Sequence, residues 1–367
     1  MLRVILLSIA SFVLVTDGAR LGMTVTVTDG VLSGGKWVGS FTSQLQQNVV
    51  DALFAPVSNA DWRDVTIVNA STLRYLDLHG DYQADVPLRL PSLFVLRLNG
   101  SLVDAANFTV SAHNQRFSGM VEMNQTAYSA VIGGLYNATR HNETQTQAVT
   151  VVNGWRNAIR NIRALSHFDS VVGINGGMDN EISGCELGGE QGQPVPFRAV
   201  WCLSTTRALV HDNHIHHSNK HALDFDAFTS HSVAHNNLCE DNAEEGIFVE
   251  ETAHNNVITS NICRRNRNGI GVYSNAVGPV ANNVIVGNTV TNNIGDGITA
   301  GGVGHDPTKH SDSNLFVANR AHDNTQSAFT PSHGATENDY WVGNTADRAP
   351  VFGRTSGENR NASVFDP

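Results

Sequence analysis

Two neighbouring segments decide the fold: NNVITSNICRRNRNGIGVYS at 255–274 and NNVIVGNTVTNNIGDGITAGG at 282–302. Both belong to a stretch, Val210 to Gly302, in which asparagines return at a near-constant interval. The series continues beyond this stretch with spacings of 24, 24, 27, 31 and 25 residues, and its members are Asn213, Asn237, Asn261, Asn288, Asn319 and Asn344. A fixed period of this size indicates stacked units, none of which can bury its apolar face alone.

Each of four repeats contains a short segment in which apolar residues alternate with other residues. These segments are HALDFD at 221–226, EGIFVE at 245–250, NGIGVY at 268–273 and DGITAG at 296–301. Alternation is the spacing of a strand, and the Gly, Asn and Asp residues between the segments favour tight turns. Stacked turns would pair in parallel, and their buried asparagines would form a hydrogen-bonded ladder. We therefore predict an all-β fold, a right-handed parallel β-helix of about 24 residues per turn.

The first residues have the pattern of a secretion signal. Residues 4–15 form an apolar run, and small residues follow up to Ala19. This run is too short to span a bilayer but suits a signal peptide over 1–19. Seven N-x-Ser/Thr sequons, six of them before Thr150, are typical of secreted glycoproteins. We expect a secreted, extracellular glycoprotein.

The rest of the chain divides by the regularity of its repeats. We expect an N-terminal cap with irregular first turns over 20–149, the regular β-helix over 150–348 and a polar tail over 349–367. Leu45, Val49 and Leu53 stand at helical spacing. They predict a short amphipathic helix at 42–55 that caps the open end of the core.

Composition excludes some classes of partner. The formal net charge is −11, charged residues make up 16%, and no basic cluster interrupts the chain. These features argue against nucleic acid and anionic membranes as partners. No later segment is apolar enough to span a membrane. We expect a monomer.

The four cysteines leave two interpretations open. Cys239 and Cys263 stand 24 residues apart, so they should lie on adjacent turns as stacked thiols or as a disulfide. For Cys185 and Cys202 an oxidising compartment favours a disulfide.

The same alternation places a group of polar residues on the outer face. With Leu223 and Phe225 inward, Asp224 and Asp226 must point outward. Aligning the turns gives three outward columns: Asp226–Glu250–Tyr273, Lys220–Glu244–Arg267 and His221–Glu245–Asn268–Asp296. Acidic residues side by side on a strand are unfavourable unless a cation, a shared proton or a substrate compensates them. We therefore favour a functional site here over a solvated face with surface ion pairs.

A second candidate is the motif His214-x-His216-His217. His214 and His216 flank the inward Ile215, so both should point outward on a neighbouring sheet. A zinc site needs three or four converging ligands, and the sequence does not supply the remaining ones. We favour a loose surface pair over a metal site.

The repeats at 255–274 and 282–302 resemble those of extracellular polysaccharide lyases and mannuronan C5-epimerases. The resemblance covers roughly residues 150 to 345. The segment 222–226 is similar to the Asp-Pro-His-Asp segment of the epimerases, with Asp224 as its leading aspartate and without the Pro-His pair. Alternatively, Lys220-His221 resembles the basic-residue–His–Gly segment. Only one of these alignments can hold.

The resemblance implies an acidic, uronate-containing polysaccharide as substrate and proton abstraction at C5 as the first step. His221 is then the candidate base and Tyr273 the candidate acid, while Lys220 or Arg267 neutralises the sugar carboxylate. Asp224, Asp226 and Glu250 would orient the cations or bind Ca²⁺ through oxygen. The remaining candidates for substrate binding are Glu244, Glu245 and Asn268.

Two other functions stay open. A glycoside hydrolase would use two carboxylates, and Asp226 with Glu250 on adjacent turns, about 5 Å apart, suits a retaining mechanism. Asp224 with Glu250 should be further apart. The other alternative is a non-catalytic carbohydrate-binding or structural glycoprotein with a rigid outer surface.

Overall fold

The computed structural model describes residues 20–24, 38–40, 73–84, 87–90, 92–104, 118–138, 146–165, 168–190, 196–274, 278–302, 311–331 and 339–347. All regular structure within these ranges is β-strand. The signal peptide, capping helix and C-terminal tail expected from the sequence lie outside them. In the part of the chain that is described, no helix is long and apolar enough to cross a bilayer.

One face of the molecule is a ten-stranded sheet whose neighbouring strands pair in parallel. Alternating side chains enter the core, and Leu223, Ile247, Ile270 and Ile298 stack in register, each fully buried. The strands are Leu88–Arg89, Ser118–Asn124, Thr146–Val152, Ser170–Asn175, Arg198–Leu203, Leu223–Asp226, Glu245–Val249, Asn268–Ser274, Ile298–Gly302 and Phe329–Pro331.

A second, 22-stranded sheet completes each turn with two short strands. The first strands of the turns are Ala130–Ile132, Ala158–Arg160, Glu181–Ser183, Leu209–His211, Val233–His235, Val257–Thr259, Val284–Val286, Leu315–Val317 and Tyr340–Val342. The second strands are Leu135–Asn137, Arg163–Leu165, Glu186–Gly188, His214–His216, Leu238–Glu240, Ile262–Arg264, Thr289–Thr291, Arg320–His322 and Thr345–Ala346.

Longer strands begin the 22-stranded sheet: Arg20–Thr24, Val38–Ser40, Leu73–Ala84 and Phe94–Asp104. Val280–Ala281 and Ser311–Asp312 form a small separate pair. These parallel pairings confirm the predicted right-handed parallel β-helix.

The predicted asparagine ladder runs unbroken between the two strands of each turn. From Asn213 to Asn344, each side-chain N–H donates to the next Asn Oδ1 at 2.9–3.0 Å. At Asn237 the side-chain nitrogen also donates to Val210 O, and the backbone N–H donates to Asn261 Oδ1. Every hydrogen-bonding atom of the buried amide is therefore satisfied, as burial requires.

Two further ladders, which we did not predict, border the other ends of these strands. One contains Asn256, Asn283, Asn314 and Asp339, and the other contains Ser218, Asn242, Asn266, Asn293 and Asn324. The residue before a ladder asparagine adopts a left-handed conformation, as Asn236 does with φ of 52°. Asn, Asp and Gly tolerate this conformation, which explains their abundance at the corners.

All four cysteines are buried free thiols, so the predicted Cys185–Cys202 disulfide is wrong. Cys185 lies at the corner between two strands of the larger sheet, where its thiol donates to Ser183 O. Cys202 lies in the ten-stranded sheet and pairs there with Ile174 and Phe225. Cys239 and Cys263 are partners in the strand register, which agrees with the stacked-thiol interpretation.

Candidate functional site

A cavity of about 620 Å³ opens on the outer face of the ten-stranded sheet. Its walls come from the strands that begin at Ser170, Arg198, Leu223, Glu245 and Asn268, and from the residues that directly precede or follow them. The lining residues are Asp169, Ser170, Phe197, Arg198, Trp201, Lys220, His221, Asp226, Glu244, Glu245, Glu250, Glu251, Arg267, Asn268 and Tyr273. Every predicted site residue except Asp224 is among them, and the strand register brings these residues together.

Glu245 is the centre of the hydrogen bonding in this cavity. Its Oε2 lies 2.8 Å from His221 Nδ1, and its Oε1 accepts hydrogen bonds from Tyr273 at 2.8 Å and Asn268 at 3.0 Å. Burial alone would raise the pKa of Glu245, but its contacts with His221, Asn268 and Tyr273 outweigh burial and lower that pKa to about 2. Glu245 is therefore an anion that orients the Tyr273 phenol by a hydrogen bond and lies against the His221 imidazole.

Three rings extend across the turns beside this carboxylate. Phe248 lies between His221 and Tyr273, with ring centroids 4.6 Å away on each side. Gly271 is the register partner of Phe248, and a Cβ at this position would lie 2.8–3.0 Å from Tyr273, Glu245 and Phe248. The missing side chain thus leaves the space that the tyrosine ring occupies. Burial and the negative charge of Glu245 raise the pKa of Tyr273, which is a neutral phenol at physiological pH.

Asp224 points away from the core, as predicted, yet it is completely buried. Arg198 and Trp201 belong to the preceding strand, and Trp201 is the register partner of Asp224. Arg198 Nε lies 3.2 Å from Asp224 Oδ2. Burial raises the pKa of Asp224 well above its ordinary value. Arg198 offsets part of this rise, and Glu250 and Asp226 add to it.

Asp226 is fixed by donors from its own turn and the preceding one. Trp201 Nε1 donates to Asp226 Oδ2 at 2.8 Å, and the Ala227 N–H donates to Oδ1 at 2.6 Å. Arg198 Nη1 lies 3.5 Å from the same Oδ2. A guanidinium therefore supplies the positive charge beside both aspartates.

His221, Asp224 and Glu250 each bring one potential ligand atom within 4.8 Å of the others. Asp224 is thus closer to Glu250 than we expected from the strand register. The set combines an imidazole with two carboxylates, whereas Ca²⁺ takes six to eight oxygen ligands. Because His221 offers nitrogen and the Arg198 guanidinium lies against the oxygens of Asp224 and Asp226, these residues do not fit the calcium site suggested by the sequence.

The rim of the cavity carries two cations. Lys220 Nζ lies 4.0 Å from Glu244 Oε2 and 4.8 Å from the centre of the Phe197 ring. Arg267 is exposed, and no described residue forms an ion pair with its guanidinium. Of the predicted Lys220–Glu244–Arg267 alternation, only the first pair forms. Arg267 is available to an acidic ligand.

The sequence also contained a signal for residues that we missed. Val200 and Cys202 point inward, so alternation along RAVWCL at 198–203 would place Trp201 outward beside Asp224. Arg198 and Phe197 lie at the start of the same strand. Applying the alignment one turn earlier would have found them. Asp296, by contrast, ends one predicted column and does not line the cavity.

Comparison with known proteins supports the fold. Residues 147–310 match a family model described as the right handed beta helix region. No curated protein sequence matches the chain.

Among solved structures, the chain is similar to the Dettilon tailspike protein, with 13% identity, a TM-score of 0.55 and coverage of 75% of this chain and 60% of that one. It is similar to an endo-xylogalacturonan hydrolase from Aspergillus tubingensis, with 9% identity, a TM-score of 0.54 and coverage of 77% and 91%. It is also similar to the periplasmic alginate epimerase AlgG, with 11% identity, a TM-score of 0.48 and coverage of 89% and 86%.

The chain thus spans 60% of the length of the Dettilon protein. Identities this low establish the fold alone, since one fold hosts many activities. From its paired strands, its ladders and the family model, the chain is a right-handed parallel β-helix protein.

Proposed function

We propose that the chain is a carbohydrate-active enzyme that abstracts the C5 proton of a uronate-containing polysaccharide, as a lyase or a C5-epimerase. One observation carries this proposal: Glu245 contacts both His221 and Tyr273 within one cavity. A base and an acid held by the same anion are the two groups that this chemistry requires. The resemblance of the repeats to those of lyases and epimerases supports the same reaction class.

In the first step, the C5 proton of the uronate passes to His221. Nδ1 lies 2.8 Å from Glu245 Oε2, and Nε2, which lies 3.4 Å from Glu244 Oε2, is the nitrogen that takes the proton. The Glu245 anion stabilises the imidazolium that forms, as a carboxylate does for a catalytic histidine. The negative charge left on the sugar spreads into its carboxylate.

In the second step, Tyr273 gives up its phenolic proton, and the phenolate left beside Glu245 recovers a proton from solvent once the product has formed. Its phenol is neutral, and Glu245 orients it through the hydrogen bond at 2.8 Å. Protonation of C5 on the opposite face of the sugar gives the epimer. Departure of the O4 leaving group with that proton gives an unsaturated product by β-elimination.

The charge of the cavity sets a condition on substrate binding. Six carboxylates and three Lys or Arg residues line it, so a uronate needs a cation at its own carboxylate. Arg267 and Lys220 at the rim supply that charge. Arg267 has no ion pair within the described residues, so binding a sugar carboxylate breaks no existing pair.

A glycoside hydrolase is the second candidate, favoured by the excess of carboxylates. Asp224 and Glu250 bring oxygens within 4.8 Å of each other, near the separation of about 5 to 5.5 Å in retaining enzymes. The raised pKa of Asp224 suits an acid. Its burial behind Arg198 keeps it from a substrate, however, and we rank this function second.

The test is a panel of alginate, pectate, glucuronan and neutral polysaccharides with three readouts. A lyase gives an ultraviolet-absorbing product, an epimerase changes the ratio of uronates without cleavage, and a hydrolase releases reducing ends without absorbance. We expect one of the first two signals on an acidic polymer and its loss in Tyr273→Phe. Reducing ends alone would favour the hydrolase. If no polysaccharide gives any of the three signals but at least one of them binds to the chain, the protein is a non-catalytic carbohydrate-binding protein.

The proposed substrate implies a location outside the cytoplasm, in line with the expected signal peptide. Fractionation of the producing cells tests this. We expect the mature chain in the medium or cell wall, and retention of an unprocessed chain inside the cell contradicts it.

A further inference from the structure

A second cluster of ligand-type side chains lies on the larger sheet, away from the cavity. The histidine cluster consists of Glu186, His214 and His216, whose potential ligand atoms all lie within 4.8 Å of one another. Glu186 is the register partner of His214, and Gly188 is that of His216. The neighbouring turn therefore places the Glu186 carboxylate beside His214. Beside His216 it has only Gly188, which has no side chain.

His216 is the buried member of the cluster, with 9% of its surface exposed. Its Nε2 has no hydrogen-bond partner among the described residues and lies 3.6 Å from Glu186 Oε1. Its Nδ1 lies 2.9 Å from His217 Nδ1. Burial lowers the pKa of His216, and the nearby His214 and His217 lower it further. The ring therefore presents a buried nitrogen that no hydrogen bond occupies.

His214 also contacts Glu240, which comes from the following turn. Its Nε2 lies 2.8 Å from Glu240 Oε1, and Glu240 is itself fixed by Arg264 at 2.6 Å and Arg265 at 2.7 Å. A carboxylate bound to one ring nitrogen fixes the tautomer and leaves the other nitrogen as a ligand, which is the usual support of a metal-binding histidine. The sequence indicated only a loose histidine pair because Glu186 and Glu240 come from the turns before and after.

We propose that Glu186, His214 and His216 bind a divalent transition metal of the zinc class. Two imidazoles and one carboxylate suit Zn²⁺, Co²⁺ or Ni²⁺ and disfavour Ca²⁺ and Mg²⁺, which prefer oxygen. The side chains of Glu186 and His214 are 37% and 40% exposed, which leaves water a fourth position and the ion a path of entry. The site joins two adjacent turns and is independent of the proposed catalytic function.

The experiment is titration of the tag-free chain with Co²⁺, followed by its visible absorption, and with Zn²⁺, followed by calorimetry. We expect one equivalent bound, and an affinity at least about tenfold lower in His216→Ala and in Glu186→Gln. His231→Ala is the matched control, because His231 is exposed and its nearest ring, His254, lies 6.2 Å away. Ca²⁺ should not compete.

Glu186→Gln guards against a folding defect, because this side chain is 37% exposed and the substitution weakens only its surface ion pair with Arg163. Unchanged affinity in both cluster variants overturns the proposal. An equal loss in His231→Ala also overturns it, since binding is then distributed over surface histidines. Failure to bind both Co²⁺ and Zn²⁺ overturns it without affecting the proposed polysaccharide chemistry.

Discussion

The asparagine ladders and the cavity are both columns of polar side chains stacked turn on turn, but they differ in how their polar atoms are satisfied. At Asn237 and Asn261 every donor and acceptor has a partner at 2.9–3.0 Å. Behind the cavity, both oxygens of Asp224 are buried without a hydrogen bond among the described residues, and only the ion pair with Arg198 Nε at 3.2 Å compensates that carboxylate. Buried polar groups without partners are costly. The ladder thus satisfies its polar atoms from neighbouring turns, whereas the carboxylate behind the cavity depends on a single ion pair.

His221→Gln gives the largest expected effect. Removal of the proposed base should slow turnover by about 10² to 10⁴-fold, the usual contribution of such a group. His221 is buried against the Glu245 anion, so the variant should also lose some stability, by no more than Glu245→Gln. Initial rates on the responsive polysaccharide measure the effect, and His235→Gln on an exposed surface is the control. Equal rates in His221→Gln and His235→Gln would show that His221 is not the base.

Asn261→Ala breaks a ladder rather than the site. It removes four hydrogen bonds, to Asn237, Ala234 and Asn288, and leaves buried partners unsatisfied. We expect the free energy of unfolding to fall by roughly 3 to 5 kcal/mol. Denaturant titration measures it, with exposed Asn219→Ala as the control. A loss as small as that of the control contradicts the structural role of the ladder.

Glu245→Gln tests the anion that holds the acid and the base. The pKa of Glu245 is about 2 in the folded chain, below its ordinary value of 4.5. Its charge therefore stabilises the fold above pH 4.5, and that contribution disappears as the pH falls through about 2. The variant should be less stable at neutral pH by on the order of 2 to 3 kcal/mol.

The difference between Glu245→Gln and the parent chain should shrink as the pH falls from 4.5 toward 2. Unfolding curves recorded across this range, with exposed Glu190→Gln as the control, measure the change. A difference that stays constant with pH shows that Glu245 is not the titrating group.

Arg207→Ala should give the smallest effect, because it removes a surface ion pair rather than part of a ladder. Arg207 forms a two-pronged ion pair with Asp179 at 2.6 and 3.0 Å, but half of its side chain is exposed. Exposed ion pairs contribute little to stability, so the free energy of unfolding should hardly change. A larger loss in denaturant titration would mean that surface pairs, rather than ladders, stabilise the turns.

Sequence patterns predict the features that repeat, and they are weaker where neighbouring turns differ. The spacing from Asn213 to Asn344 and the alternation in EGIFVE predicted the fold, the ladder and the outward direction of Asp224 and Glu250. Alternation gives the direction of a side chain but not what covers it. Arg198 and Trp201 bury Asp224 from the preceding turn, where we had not applied the alignment.

The cysteines show the other limit of sequence reasoning. Spacing placed Cys239 beside Cys263 correctly, because the two residues occupy the same position in adjacent turns. For Cys185 and Cys202 only the expected oxidising compartment favoured a bridge. Position along the chain cannot tell that they belong to different sheets.

The most direct test of the cavity as a proton-abstraction site is NMR of the C5–H signal of polyuronates incubated with the protein in D₂O. We expect this signal to disappear from at least one polymer, through deuterium uptake or C4–C5 unsaturation. In His221→Gln the signal should persist. An intact C5–H signal on every polyuronate, with cleavage products accumulating, would contradict proton abstraction at C5.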